Sequence, residues 1–455
     1  MRRPLALSRF TVFATLLALQ LFPDLATAQD SARVPLVLTL DRAIGIALEQ
    51  NRDVLIADQE RYRADARITE ARAGALPQLT ASGQYLRNIK VPVLFLPPNS
   101  PINPSNSTAA FEIGSRNSYQ AGVQLTQVLY SPALGSALDI ARAYHEYSDE
   151  GYRATSDDVR FQVQQAFYGV LLAKKLVDAN RQGEEVVRAN LDNVRAQYKN
   201  GVAAEFDLLR AEVQLANTEP LLISAENNLQ LAANGLKNLL SLPQETDIRV
   251  EGEFAFQEVD GATLTTARKS ALGANPTLTQ LALQERMLDL NVSIERAGFY
   301  PSLALIGSYA WQSQDNTFQV RNYNWANSVS VGLNLSFSLF DGFRTTARVD
   351  QASVDLQKIR YTRLKAEEGL KIQIQSAELK MAEAKKRIEG QEKNIAQAEK
   401  AVRIAQTRFK SGVGTQLELL DTQVAMTRVQ TNYALAIYDH LIARAEWRRA
   451  TGTSQ

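Results

Sequence analysis

Hydrophobic positions in two long stretches of the chain recur at spacings of four and three residues. This is the pattern of a helix that packs along its whole length against a neighbour. An N-terminal seam runs from Val159 to Tyr198 in the same register as a C-terminal one. The C-terminal seam consists of Leu370, Ile374, Ala377, Met381, Ala384, Ile388, Gln391, Ile395, Ala398, Val402, Ala405 and Phe409. Both seams are rich in alanine, which allows close helix approach, and they predict long coiled-coil helices.

The two seams belong to an internal duplication. One pair of matching segments ends in Ala-Gly-x-x-Pro, at Pro77 and Pro301. A second pair is "QYKNGVAAEFDLLRAE" (197–212) and "RFKSGVGTQLELLDTQ" (408–423), in which Gly residues mark a turn between two helices. The chain is therefore predicted to be two tandem copies of one structural plan.

Each predicted repeat holds a helix of about 35 residues, two strands, a very long helix and a helix of about 40 residues. The predicted parts are a signal peptide over 1–28, a first repeat over 29–242, a loop-rich crossover linker over 243–261 and a second repeat over 262–455. The longest helix would measure roughly 100 Å, and the two shorter helices of a repeat would match it if stacked end to end. These lengths predict a cylinder of antiparallel helices of similar height.

Between the helices the hydrophobic period changes to two. "SVSVGLNLSFSLF" (328–340) and "YQAGVQLTQ" (119–127) alternate apolar with small or polar residues, and aromatic residues cluster near the strand ends. Such strands fit a transmembrane β-barrel that faces lipid outside and water inside. A half-buried soluble sheet shows the same alternation, so the strands alone leave both readings open. The signal peptide and the lack of a second sheet or covering helix favour the barrel.

Four strands cannot close a barrel, because small barrels need about eight. An open sheet in lipid would leave unpaired edges, which a bilayer does not tolerate. Several chains must therefore pool their strands, giving eight from two chains or twelve from three. The connection over residues 87–118 contains Pro92, Pro97, Pro98, Pro101 and Pro104 and is predicted to be an exposed loop.

The N-terminus predicts export. Arg2, Arg3 and Arg9 precede an apolar run that is followed by the small residues of Ala26–Ala28, so cleavage is expected after Ala28. A membrane-anchor helix is the weaker alternative, because the run is about 13 residues and a span needs about 20.

Composition narrows the possible functions. The chain has 455 residues, a net charge of +1, no cysteine and two histidines. The charge balance gives no case for nucleic-acid binding. Disulfides, a thiolate nucleophile and a cysteine-based zinc site are excluded. The sequence has no set of residues typical of a catalytic nucleophile, a metal site or a phosphate-binding site, so an enzyme is disfavoured and no cofactor is expected.

The duplicated plan resembles the TolC family of outer-membrane efflux and secretion ducts over essentially the whole mature chain. The resemblance is carried by "LTLDRAIGIALEQNRDVLIA", by "ARAGALPQL" and "ERAGFYPSL" before the strands, by "FSLFDGFR" after them and by the 408–423 turn. It implies a mainly α fold, in which a homotrimer forms a twelve-strand barrel in outer-membrane lipid above a twelve-helix periplasmic tunnel. A periplasmic adaptor and an inner-membrane pump (RND, ABC or similar) are the implied partners.

The resemblance also implies a constriction at the tips of the helical hairpins. The matching acids here are Glu418 and Asp421, which three-fold repetition would arrange as two carboxylate rings. A purely structural reading of Glu418 stays open, because Thr415 to Glu418 forms a capping-box pattern. The implied tip and gate residues are Asp207, Arg210, Tyr198, Phe409, Gly201, Gly412 and Gly414.

Two of these positions depart from the family. Members of the family close the tip with a tyrosine and an arginine, and the matching residues here are Phe409 and Gly414, which lack the hydroxyl and the donor. We therefore expect a different latch, with Arg210 pairing to Glu418 or Asp421. The alternative function is a periplasmic coiled-coil adaptor without a pore, which should show one hairpin, small β-domains and a membrane anchor.

Overall fold

The computed structural model of the chain describes residues 35–319, 321 and 323–453. The predicted signal peptide lies outside these residues. The helices within them are α1 (Leu40–Gln50), α2 (Arg52–Ala73), α3 (Pro132–Lys199), α4 (Glu205–Leu239), α5 (Gly261–Ala274), α6 (Pro276–Arg296), α7 (Arg344–Lys410) and α8 (Gln416–Thr451). The strands are β1 (Leu36–Leu38), β2 (Gln78–Arg87), β3 (Val93–Leu96), β4 (Ala109–Glu112), β5 (Asn117–Tyr130), β6 (Ile248–Val250), β7 (Ser302–Asp315) and β8 (Ala326–Ser336).

Four helices lie side by side along the molecule. Next to the sheet the order is α2, α3, α6 and α7, and toward the far end it is α4, α3, α8 and α7. Helices α3 and α7 have 68 and 67 residues, which corresponds to roughly 100 Å each. The predicted seams are confirmed, since α7 buries Leu370, Ile374, Ala377, Met381, Ala384, Ile388 and Ala405.

The shorter helices stack end to end at matching points of the two halves. Asn51, which caps α2, donates from Nδ2 to the carbonyl of Leu239 at the end of α4, at 2.9 Å. Asn275, which caps α6, donates in the same way to Ala450 in the last turn of α8, at 3.3 Å. The predicted stacking is therefore present in both halves.

Strands β2, β5, β7 and β8 form one antiparallel sheet in that order. The ladder pairs Leu79 with Leu125 and then Tyr309 with Val329, so the apolar residues of all four strands share one face. Strands β2 and β8 are the two edge strands, and the outer edge of each has no strand partner within the described chain. The sheet extends beyond the ends of the helices, and its helix-distal end lies at Arg87 and Asn117.

Three features differ from the sequence expectations. The first helix of each half is broken, at Asn51 and at Asn275, because each asparagine side chain caps the helix that follows and competes with helix continuation. The connection 87–118 is not only loop, because β3 and β4 pair within it as a hairpin. The linker 243–261 contains β6, which pairs in parallel with β1.

The main core lies beside this parallel strand pair. Leu38, Phe167 and Leu236 are almost fully buried there, at the level where α1 packs on α3. The core fixes the height at which the linker crosses the long helices. No helix among the described residues combines the length and the apolar character needed to cross a bilayer.

Candidate functional site: the paired hairpin tips

Each long helix turns back at a glycine with a left-handed backbone, Gly201 (φ +72°) and Gly412 (φ +71°). In the second turn the N–H groups of Gly412 and Val413 donate to the carbonyls of Phe409 and Arg408, at 3.1 and 3.0 Å. The first turn repeats both bonds with equivalent residues. This is the Schellman arrangement, which satisfies the last carbonyls of a helix and favours glycine at the left-handed position. Both glycines are therefore explained by the turn itself.

The helices that leave the turns are capped by complementary halves of one motif. In α8 the hydroxyl of Thr415 accepts the backbone N–H of Glu418 at 3.2 Å. In α4 the equivalent N-cap is Ala204, which has no acceptor, and instead the carboxylate of Asp207 accepts the N–H of Ala204 at 3.4 Å. A complete capping box makes both bonds. The helix-capping role of this motif thus involves the backbone N–H of Glu418. The carboxylate of Glu418 takes no part in the cap and can bind another group.

That partner is Arg408, whose Nε lies 3.5 Å from Oε2 of Glu418. Both side chains are about half exposed, so the pair is an intra-hairpin contact of modest strength. The expected pairing of Arg210 with Glu418 or Asp421 is not formed within the described chain. Arg210 and Asp421 are both exposed in the single chain.

Arg210 and Asp421 occupy equivalent positions of the two repeats but carry opposite charges. Each lies six residues after the N-cap of its helix, Ala204 or Thr415, on an exposed face of α4 or α8. Asp421 is one turn beyond the cap, where a carboxylate contributes little to helix initiation. The structure therefore gives Asp421 no intramolecular task and leaves its carboxylate at the surface of the tip.

Gly414 fills a position that excludes a side chain. A Cβ there would lie 2.9 Å from Cβ of Arg408 and 3.0 Å from the backbone nitrogen of Phe409. The backbone N–H of Gly414 also donates to the carbonyl of Arg408 at 3.0 Å, whereas Ala203, its equivalent in the first turn, makes the matching bond at 3.4 Å. The second turn is the tighter of the two, and glycine permits that closeness.

Phe409 links the two hairpins. It ends the seam of α7 and packs against the first-hairpin cluster of Leu191, Val194 and Ala211. Its equivalent in the first repeat, Tyr198, is 41% exposed. Phe409 has no hydroxyl for a hydrogen bond, and it contacts the first hairpin through its apolar ring instead. This contact between the hairpins, called the apolar joint, was not predicted from the family resemblance.

Three buried amide side chains near the tips were not predicted from the sequence. Asn190 of α3 and Gln416 and Gln423 of α8 are 5–8% exposed, and both polar atoms of each side chain lack a hydrogen-bond partner in the described chain. Gln416 and Gln423 are one heptad apart, which places them on one face of α8. This spacing, with the apolar Leu419 and Leu420 between the two glutamines, is the sequence feature from which their burial could have been predicted.

The sheet presents a second surface of functional interest. Neither β2 nor β8 buries a single residue, and Val329, Val331, Leu333 and Leu335 are 67–75% exposed. A half-buried soluble sheet would cover such a row with a core. The opposite face is polar, and Ser308 and Ser330 share a hydrogen bond of 2.7 Å across it.

Aromatic rings gather at the helix-distal end of this sheet. Tyr119 lies 4.7 Å from Tyr85, 5.3 Å from Tyr323 and 6.3 Å from Trp325 between ring centroids. Such a band is typical of a membrane–water interface. Within the described ranges, no three His, Cys, Asp or Glu side chains converge where they could hold a metal ion.

A model of the outer membrane efflux protein family matches residues 43–241 and 267–453. The chain belongs to the outer membrane efflux protein family. This membership places it in the outer membrane with its helices on the periplasmic side, and it makes transport, rather than catalysis, the activity of the family.

Curated relatives of this efflux protein resemble it over most of their length. The alkaline protease secretion protein AprF of Pseudomonas aeruginosa is 27% identical over 74% of this chain and 70% of its own. The outer membrane protein TolC of Vibrio cholerae is 22% identical over 90% of this chain and 89% of its own. The family match over 43–241 and 267–453 includes both hairpins and the four strands of the sheet.

A solved channel has the same fold. The CmeC outer membrane channel of Campylobacter jejuni superposes with a TM-score of 0.73 at 16% identity, covering 91% of this chain and 86% of its own. The adaptor alternative is not supported, because the efflux protein has two helical hairpins and a four-stranded sheet where an adaptor should show one hairpin.

Proposed function

We propose that this outer membrane efflux protein is the passive exit duct of a tripartite efflux or type I secretion system. Cargo would enter at the hairpin tips, pass along the helices and leave through the sheet region to the outside. The observation that carries the proposal is one chain that combines an uncovered apolar sheet face with helices of roughly 100 Å. Such a chain suits a membrane barrel above a long periplasmic tunnel.

We propose a homotrimer as the working assembly. In lipid the open edges of β2 and β8 need partners, so β2 of one copy would pair with β8 of the next. Three copies would give about twelve strands, which exceeds the roughly eight needed to close a barrel. The same symmetry would join three sets of four helices into one tunnel, and it leaves the polar sheet face lining the channel.

The proposed partners are a periplasmic adaptor and an inner-membrane pump (RND, ABC or similar) that meet the hairpin tips. The support is that relatives include a protein named for alkaline protease secretion, AprF. A passive duct needs such partners, because the chain has no nucleotide-binding or other energy-coupling motif in its sequence. No nucleic-acid partner is proposed.

At the tips we propose that Glu418 and Asp421 of three copies form two stacked carboxylate rings. Asp207, Arg210 and Tyr198 would surround them as the gate contacts of the first hairpin, and Phe409 would be the apolar joint. Rings of acidic side chains attract cations and exclude anions. The proposal is supported by the exposure of Asp421 and by the absence of any intramolecular partner for it among the described residues.

The deciding experiment is the reversal potential of the purified trimer in a planar bilayer under a KCl gradient. Wild type is expected to be cation-selective, and Asp421→Asn to be less so. Asp289→Asn, which removes one exposed carboxylate from α6 near the sheet, is the matched control and should leave selectivity unchanged. Unchanged selectivity in Asp421→Asn would remove the carboxylate-ring role. A protein that fractionates away from the outer membrane would overturn the duct itself.

A further inference from the structure

An apolar β-ribbon extends the sheet at its helix-distal end. The β2–β5 ladder ends at the pair Arg87 and Asn117, continues with the bond from Asn88 N to Arg116 O (2.8 Å), and resumes where Ile113 N donates to Pro92 O (2.8 Å). From there β3 and β4 pair as far as Leu96 with Ala109. This extension, residues 88–116, is called the outer hairpin below.

The outer hairpin has a built tip. The side chain of Asn103, only 5% exposed, donates from Nδ2 to the carbonyl of Ser107 at 2.9 Å and to that of Leu96 at 3.3 Å. The hydroxyl of Ser105 donates to Oδ1 of Asn103 at 2.6 Å. One buried asparagine thus connects both sides of the turn by hydrogen bonds.

Both surfaces of the outer hairpin are apolar and uncovered. Leu94 and Phe111 are paired and share one face, while Val93 and Phe95 lie on the other. These four side chains are 44–69% exposed in the single chain. The second repeat has only residues 316–325 at the equivalent place, so each chain carries one outer hairpin.

The base of the outer hairpin lies beside a side chain of the polar face of the sheet. Its return strand reaches β5 through Gly114, whose backbone is left-handed (φ +98°). A Cβ on Gly114 would lie 3.7 Å from Oε1 of Gln314. Gln314 has the strand parity of Ser308 and Gln312, which belong to the polar face. In the proposed barrel that face lines the channel, so the base of the ribbon lies on the pore side of the wall.

We propose that the outer hairpins of three copies pack against one another across the outer mouth of the channel and close it. This inference rests on the proposed trimeric duct. Lipid would cover only the surface that continues the apolar sheet face, whereas a ring of three gives each hairpin one neighbour on either side. Two apolar surfaces therefore match two copies. An apolar constriction of this kind blocks ions by excluding water.

The natural absence of cysteine makes the test direct. Phe95→Cys combined with Phe111→Cys in the intact trimer should form disulfide-linked dimers under mild oxidation, because a ring brings one surface of each hairpin against the other surface of its neighbour. Val329→Cys, equally accessible in the single chain on the lipid-facing row of β8, should not. In planar bilayers, Phe95→Ser combined with Phe111→Ser should raise the mean current per trimer. Replacing residues 93–112 by a short Gly-Ser turn should raise it further, and this variant is a safeguard if the double substitution misfolds.

The alternatives give different results. Labelling of both thiols of the Phe95→Cys, Phe111→Cys double variant by a lipid-borne probe, without cross-links, would place the hairpin in the bilayer and overturn the proposal. Rapid reaction with a soluble maleimide, without cross-links and with unchanged current, would show an open mouth and also overturn it. If the wild-type protein forms no trimer and no channel, the proposed function fails instead. If the serine and Gly-Ser variants form trimeric channels whose current equals that of wild type, only the proposed gate is rejected.

Discussion

The side chain of Asn275 joins two helices by donating to the carbonyl oxygen of Ala450 while accepting the backbone N–H of Thr277. The donor distance is 3.3 Å and the acceptor distance is 3.0 Å. One amide therefore satisfies a free carbonyl at the end of α8 and a free N–H at the start of α6. Asn51 does the same between α4 and α2. This duplicated joint lets two shorter helices match the height of one long helix.

Asn275→Asp should separate the two halves of this joint. A carboxylate still caps α6 but cannot donate to Ala450, and it faces a carbonyl oxygen instead. We expect both Asn275→Asp and Asn275→Ala to lower the free energy of unfolding by about 1–2 kcal/mol. Thermal unfolding followed by circular dichroism measures this. Asn228→Ala, on an exposed face of α4, is the control and should be near neutral. Wild-type stability of Asn275→Asp would show that the bond to Ala450 is unimportant.

Thr415→Val and Glu418→Gln should separate capping from charge at the tip. The cap uses the backbone N–H of Glu418, so Glu418→Gln keeps it and loses only the ion pair with Arg408. Thr415→Val should cost about 1 kcal/mol of stability and leave cation selectivity intact. Glu418→Gln should cost about 0.2–1 kcal/mol and reduce selectivity. Chemical unfolding and reversal potentials are measured on both variants. If Glu418→Gln lowers stability as much as Thr415→Val and leaves selectivity unchanged, the role of Glu418 is in the cap.

Gly414→Ala tests the closeness of the second turn. The added methyl group meets Cβ of Arg408 and the backbone of Phe409, so the turn must open. We expect a loss of about 1–3 kcal/mol and increased protease cleavage at the tip. Gly390→Ala is the control, because nothing lies within 4 Å of its added Cβ in α7. That control should gain about 0.5–1 kcal/mol from helix propensity. Equal stability of the two variants would contradict the tight turn.

The sequence predicted the elements whose signals are local and repeated. The seams of α3 and α7, the glycine turns and the alternation of β5 and β8 follow from periodicity. It did not predict contacts that depend on tertiary placement. At Asn51 and Asn275 the side chain that caps the following helix also donates to the end of a distant helix, at Leu239 or Ala450, and this partner cannot be seen in the sequence. The contact of Phe409 with the first hairpin and the pair of Glu418 with Arg408 likewise need the positions of four helices at once.

Phe409→Ala should loosen the contact between the two hairpins. Truncation removes an aromatic side chain from the cluster of Leu191, Val194 and Ala211, and we expect a loss of about 1–3 kcal/mol. A weaker joint should also raise the mean current of the closed channel. Phe409→Tyr keeps the ring and should retain both stability and current. If Phe409→Ala conducts like wild type, the apolar joint does not restrain the gate.

Asp157 makes stability depend on pH at the level where the helices stack. It is half-buried on α3 in a cavity with Asn275 and Arg449, and its Oδ1 lies 3.4 Å from Nη1 of Arg160. Burial raises the pKa of Asp157 above its ordinary value of 3.8, and the nearby arginines only partly offset this. The folded state therefore binds this proton more tightly than the unfolded state does.

The free energy of unfolding should accordingly fall as pH rises from 3.8 through the raised pKa of Asp157. Asp157→Asn removes the ionisable group, so the variant should be more stable than wild type at pH 7 and similar to it at pH 3. Chemical denaturation at the two pH values measures the difference, with Asp289→Asn as the baseline for losing an exposed carboxylate. A variant less stable than wild type at pH 7 would mean that the ion pair with Arg160 outweighs the cost of burial.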